Sequence, residues 1–181
     1  MKTHGVSLAA RLALGFGIVL AMMIGLTAIG IREVSLVDDT LTRITDVNAV
    51  KQRYAINFRG SVHDRAIALR DATLVSDGSQ LAAVQAEIDR LERFYAESAA
   101  ALDALLAGER EGEPGERATL AAIKDVETRT LPLMAAVLAA ARAGERERAQ
   151  GLLLADAGPA LGEWLQRINQ FIDLQEDKNQ L

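Results

Sequence analysis

Residues 81–105 read LAAVQAEIDRLERFYAESAAALDAL. Within them Leu81, Val84, Ile88, Leu91, Tyr95, Leu102 and Leu105, with Ser98 completing the series, follow one another in alternating steps of three and four. A helix turns once in 3.6 residues, so these steps keep one stripe apolar. A stripe sustained for more than three heptads predicts a long helix with a coiled-coil-like seam.

Working outward, Ser76-Asp77-Gly78-Ser79 is a turn with capping residues before this helix. Gly108 ends it, and residues 109–113 form a charged loop. Pro114 suits a helix's first turn, and acidic Glu116 comes two residues later. The next helix carries Leu120, Ile123, Leu131, Met134, Val137 and Leu138 and ends near Ala143-Gly144. The last begins about Glu145, breaks or kinks at Gly158-Pro159, and continues through Leu161, Leu165, Ile168 and Ile172, flanked by Trp164 and Phe171. Upstream, no Gly or Pro interrupts the chain between Ile31 and Phe58. The expectation is all-α: helices over about 32–75, 79–107, 114–143 and 145–181, joined by short connections as an antiparallel up-down-up-down four-helix bundle.

Ahead of the bundle, Leu12–Ile31 reads LALGFGIVLAMMIGLTAIGI, twenty residues without a charge between Arg11 and Arg32. At ~1.5 Å per residue such a helix spans ~30 Å, a bilayer's hydrocarbon core. A secretory signal peptide usually has an apolar run of ~7–15 residues, so this one reads as a retained anchor. Ala13, Gly17, Ala21 and Gly25 give it one small face of the kind that lets membrane helices pack closely. Lys2 and Arg11 precede the span, while Glu33, Asp38 and Asp39 come after Arg32. The positive-inside rule therefore puts residues 1–11 in the cytoplasm, 12–31 in the membrane and 32–181 outside.

The chain holds 20 Lys+Arg against 25 Asp+Glu. Two of the cations, Lys2 and Arg11, precede the span, so residues 32–181 carry 18 against 25, a net of −7. Phosphate binding needs clustered positive charge, so nucleic acid is excluded as a partner. About 150 residues after the span suffice for one domain with a real core. Three prolines and 4% aromatic residues favour helix over sheet. The absence of cysteine removes disulfide and thiol chemistry, and two histidines make a transition-metal site improbable. Ser61 and His63 lie two apart on a helix and face different sides, so with Asp64 they form no triad. His4 precedes the span, and no glycine-rich phosphate loop occurs. No catalytic residue, metal ligand or cofactor site is expected, and the chain does not read as an enzyme.

Residues 47–73, VNAVKQRYAINFRGSVHDRAIALRDAT, resemble the first periplasmic helix of the ligand-binding domain of methyl-accepting chemotaxis proteins, above all in RGSVHDRAIALRD at 59–71. ARLALGFGIVL at 10–20 resembles their first membrane span. Gly162-Glu163-Trp164 with residues 171–176, FIDLQE, resembles their last periplasmic helix. The resemblance covers essentially the whole chain and implies a four-helix-bundle sensor in the bacterial inner membrane, its bundle in the periplasm. It lacks their second span, their linker and their signalling hairpin, so the chain is expected to be a piece of a longer receptor. The same module also sits on histidine kinases and cyclic-dinucleotide enzymes.

Such relatives hold a ligand's carboxylates with arginines of the first helix at a dimer interface, which implies Arg59, Arg65 and Arg70 here. A planar guanidinium pairs bidentately with a carboxylate. At 3.6 residues per turn Arg59, His63 and Arg70 share one stripe, with Arg65 about a third of a turn away. In a symmetric dimer one subunit would supply Arg59 and the other Arg65 or Arg70. The plainer readings are an Arg65 paired to nearby acids, solvated Arg59 and Arg70, and a His63 that faces the bundle or an interface. Relatives that sense aspartate carry a threonine near the start of the last helix, whereas residues 155–160 here, ADAGPA, have no hydroxyl. Thr73, Thr128 and Thr130 are the substitutes available. A di- or tricarboxylate therefore fits better than an α-amino acid, and Tyr54, Phe58 and Tyr95 leave room for an aromatic acid. The expected binding set is Arg59, His63, Arg65, Arg70 and Thr73. Asn48 and Lys51, polar on an otherwise apolar line, are expected to set register. The rivals are a module that docks a periplasmic protein and a purely structural oligomeric anchor.

Overall fold

The computed structural model describes residues 8–42, 47–108 and 114–179. It falls into two compact units, residues 1–43 and 44–181. In the first, α1 runs Leu8–Thr42, and its stretch Leu14–Val34 is long and apolar enough to cross a membrane. Phe16, Ile24 and Leu26 are exposed, leaving an apolar surface that suits lipid. Thr27 Oγ1 donates to the carbonyl of Met23 at 2.9 Å, so the span's hydroxyl is satisfied within its own helix.

The second unit contains α2 (Ala49–Leu74), α3 (Gly78–Gly108), α4 (Pro114–Arg142), α5 (Arg146–Leu152) and α6 (Gly158–Asn179). The expected continuous helix through residues 43–46 and the charged loop at 109–113 lie outside the described residues. The helices form the antiparallel bundle. α2 packs against α3 and α6, and α4 against α5 and α6.

Local chemistry places the turns. Val75 leaves the helix in an extended conformation, which stops α2. Asp77 Oδ1 accepts from the Ser79 backbone N–H at 3.0 Å and Oδ2 from the Ser79 hydroxyl at 2.6 Å, capping α3. These bonds hold the Asp77 carboxyl below its usual range. Gly144, at φ +75°, closes α4. The Glu145 N–H reaches the carbonyl of Ala140 and the Gly144 N–H that of Ala141, the paired bonds of a Schellman motif. The kink read at Gly158-Pro159 takes the form of a π turn over Leu153–Ala157, between α5 and α6. Pro159 has no N–H to give to an i−4 carbonyl, and the Gly158 N–H just before it bonds to Leu153 O, five residues back. A Cβ at Gly158 would lie 2.8 Å from that oxygen, so the turn needs glycine there.

The seam of α3 is buried at Ile88, Leu91, Tyr95, Ser98 and Leu102. At its end Leu106 is buried and Leu105 only half so. A straight helix drifts ~20° per heptad from a 3.5-residue repeat, which moves the contact on by one residue. Ser98 belongs in the seam because its oxygen accepts from Asn57 Nδ2 of α2 at 3.2 Å. Ser61 Oγ makes a second tie, donating to the Leu91 carbonyl at 2.7 Å. Phe58, Val62 and Leu69 of α2, Ile123 and Val137 of α4, and Trp164, Ile168 and Phe171 of α6 complete the core.

Candidate functional site

The binding residues expected from the sequence fall into three environments. The first is the outward face of α2. Arg59, His63 and Arg70 are all exposed there. So are Ile56, Ile67 and Leu74, at 47%, 38% and 59% of their surface. Ile56, Gly60, His63, Ile67, Arg70 and Leu74 succeed one another in steps of four and three, the pattern of a helix–helix seam. His63 Nδ1 lies 3.3 Å from Asp64 Oδ1 at the surface, not toward the bundle.

The second environment is the bundle interior, which takes Arg65. Its side chain is 1% exposed, with Cζ 5.1 Å from the ring centroid of Tyr95 and 4.8 Å from that of Trp164. Both are cation–π distances. Tyr95 also stacks on Phe58 at 4.5 Å and meets Trp164 edge-on at 5.4 Å. Phe58 and Tyr95 are therefore core residues, which corrects the reading that they leave room for an aromatic acid. Among the described residues no acceptor reaches Arg65 Nε or Nη2. Burial lowers the Arg65 pKa, opposed by the fields of Tyr95, Glu92 and Glu127. The Tyr95 hydroxyl donates to Glu127 Oε2 at 3.3 Å. Burial raises the Glu127 carboxyl against that bond, and raises the Tyr95 phenol as well.

Thr73 occupies the third, a cavity of about 440 Å³ between the α2–α3 and α4–α5 turns, shared with Ser76, Asp77, Gly144, Arg142 and Arg146. Its Oγ1 donates to the Arg70 carbonyl at 2.8 Å. The other candidate hydroxyls, Thr128 and Thr130, bond back to Lys124 O and Val126 O and lie outside this cavity.

A polar cluster not expected from the sequence lies at the opposite end of the bundle. Glu116 of α4 is buried with both oxygens engaged. Oε1 accepts from Lys51 Nζ at 3.2 Å, Gln175 Nε2 at 2.7 Å and Lys178 Nζ at 2.8 Å, and Oε2 from Lys51 Nζ at 3.0 Å. One carboxylate thus ties α2 to α4 and α6. Burial alone would raise its pKa, but the bonds from Lys178, Gln175 and Lys51 outweigh burial and hold it below the usual range. The available signal was Lys51, Glu116 and Gln175 each falling in step with the core stripe of its helix.

Among the described residues no group of three or more His, Cys, Asp or Glu gathers as a metal site. The arrangement offers cations on an exposed seam and in a cavity, which suits binding. No curated protein matches the chain. The family model described as the four-helix-bundle sensory module for signal transduction matches residues 6–180. With an antiparallel bundle behind a membrane-length apolar helix, this chain belongs to the four-helix-bundle sensory modules of chemotaxis receptors.

Proposed function

We propose that this module senses a small di- or tricarboxylate bound on the outward face of α2, where two copies meet. One observation carries the reading. The face joins exposed Ile56, Ile67 and Leu74 to Arg59, His63 and Arg70 in seam spacing. Two such faces related by a two-fold axis would bury the apolar residues and line the interface with arginines from both copies, Arg59 and Arg70 ~16 Å apart along each helix. Guanidiniums facing each other across the axis repel one another, and a multivalent carboxylate reaching between them relieves that repulsion with charge-assisted, bidentate bonds. Arg59, His63 and Arg70 then touch the ligand. Arg65 and Thr73, turned inward, act as positioning residues that fix how far α2 is rotated against its neighbours.

In this reading residues 12–31 anchor the chain in the bacterial inner membrane and residues 32–181 lie in the periplasm. A ligand that binds one packing of the α2 pair more tightly shifts the population toward it. Because α2 is tied to α6 through Glu116, the shift reaches the last helix as a small displacement. The test is titration calorimetry of the full chain in lipid nanodiscs with citrate, malate, succinate and aspartate. A tricarboxylate or dicarboxylate should bind at roughly micromolar concentration, weakening about tenfold or more in Arg59→Ala and in Arg70→Ala. Unchanged affinity in both variants, or no binding by a folded dimeric chain, would remove the proposal.

A further inference from the structure

We infer that the cavity between the two turns is a separate site for a small hydroxy-carboxylate, complete within one subunit. Its volume, about 440 Å³, lies in the range of small-molecule pockets. Two arginines from different helices reach it. Arg142 Nη2 donates to Gln85 Oε1 at 2.7 Å, and Arg146 Nη2 donates to Ser76 Oγ. Both partners are neutral. Elsewhere on the bundle Arg90, Arg129 and Arg148 pair with carboxylates at 2.6 to 3.2 Å. The carboxylate of Asp77 also lines the cavity, but both its oxygens are engaged by Ser79 at the start of α3. With two arginines against this one carboxylate, the lining keeps an excess of positive charge inside a chain whose net charge is −5.

The hydroxyls narrow the ligand class. Ser76 Oγ accepts from Arg146, so its O–H remains free to donate. Thr73 has already donated its proton to the Arg70 carbonyl, so its oxygen can only accept. Two guanidiniums and a hydroxyl donor hold carboxylate oxygens, while the Thr73 oxygen accepts a hydrogen bond from the ligand. A carboxylate carrying a hydroxyl satisfies both sides, and one without it leaves the Thr73 oxygen facing an apolar group. An occupant would join the last turn of α2, through Thr73, to the first turn of α5, through Arg146. That is a connection the outward face of α2 does not make.

The chain's own glycines make the test local. Gly78 and Gly144 line this cavity, whereas Gly60 lies on the outward face of α2. Full-length chain labelled with 15N-glycine, in nanodiscs, is titrated with malate and with succinate, which differ by one hydroxyl. Malate should shift the Gly78 and Gly144 amides saturably, with succinate roughly five- to tenfold weaker, about one hydrogen bond. Arg142→Lys with Arg146→Gln should abolish the shift while Gly60 still responds as in wild type. No saturable shift at Gly78 and Gly144 up to ~10 mM, where binding energy is already only a few kcal/mol, would overturn the inference whatever Gly60 does. Equal affinity for the two acids, or a shift that survives the double variant, would overturn it too. Loss of the Gly60 response alone would count against the interface site and leave this one standing.

Discussion

Glu116 ties three helices together, because one carboxylate answers two lysines and a glutamine from two other helices. Glu116→Gln takes away the buried carboxylate that Lys51 and Lys178 share and weakens the charge-assisted hydrogen bonds it accepts, so it should cost ~1–3 kcal/mol, read as a lowered melting temperature. Since its folded pKa is depressed, its contribution is present above the ordinary carboxylate value of about 4.5 and is lost as pH falls through the folded value. Wild-type stability should therefore fall below about pH 4.5, and Glu116→Gln should flatten that fall. Arg65 behaves differently. It is held by two aromatic faces and leaves two N–H donors without acceptors among the described residues. An apolar chain of similar length removes that desolvation, so Arg65→Met should melt at or above wild type, whereas Arg65→Ala should lose ~3 kcal/mol to the cavity it opens. Neither residue's setting was legible beforehand. The spacing shows that Lys51, Arg65, Glu116 and Gln175 sit on core stripes. It does not show which stripes face each other, and the pairing of Lys51 with Glu116 depends on that.

At the scale of the element, most of the architecture was legible. Alternating steps of three and four fixed α3, the Asp77 and Gly144 turns bounded its neighbours, and Pro114 opened α4 as its chemistry requires. Two details were not. The end of the α3 seam passes from Leu105 to Leu106 through the mismatch between 3.6 and 3.5 residues per turn. The kink at Gly158-Pro159 is a π turn over Leu153–Ala157, with the Gly158 N–H on Leu153 O five residues back. That turn supplies a sharp prediction. Gly158→Ala places a methyl against Leu153 O and should cost ~1–3 kcal/mol in thermal unfolding. Gly151→Ala, in α5 with open space around it, should be neutral or gain up to ~1 kcal/mol from helix propensity.

For the whole molecule, the residues expected from the sequence to bind a ligand divide among surface, core and cavity, and this division shapes the proposed mode of sensing. Arg59, His63 and Arg70 form a face with exposed isoleucines and a leucine, Arg65 anchors that helix from within, and Thr73 belongs to the far turns. Sequence periodicity separated Arg65 from the others by angle. It had no means of seeing Arg142 and Arg146, which reach the same cavity only once two hairpins stand side by side. In the proposed dimer the outward face of α2 meets its own copy and holds the ligand there. The chain has no cysteine, so single substitutions give a clean test by disulfide formation in membranes. Ile67→Cys should cross-link rapidly between copies, and citrate or malate should change its rate, while Ala135→Cys, exposed on α4, should cross-link slowly with or without ligand. Equal rates for the two variants, or no cross-linking through Ile67→Cys, would rule out a dimer through this face.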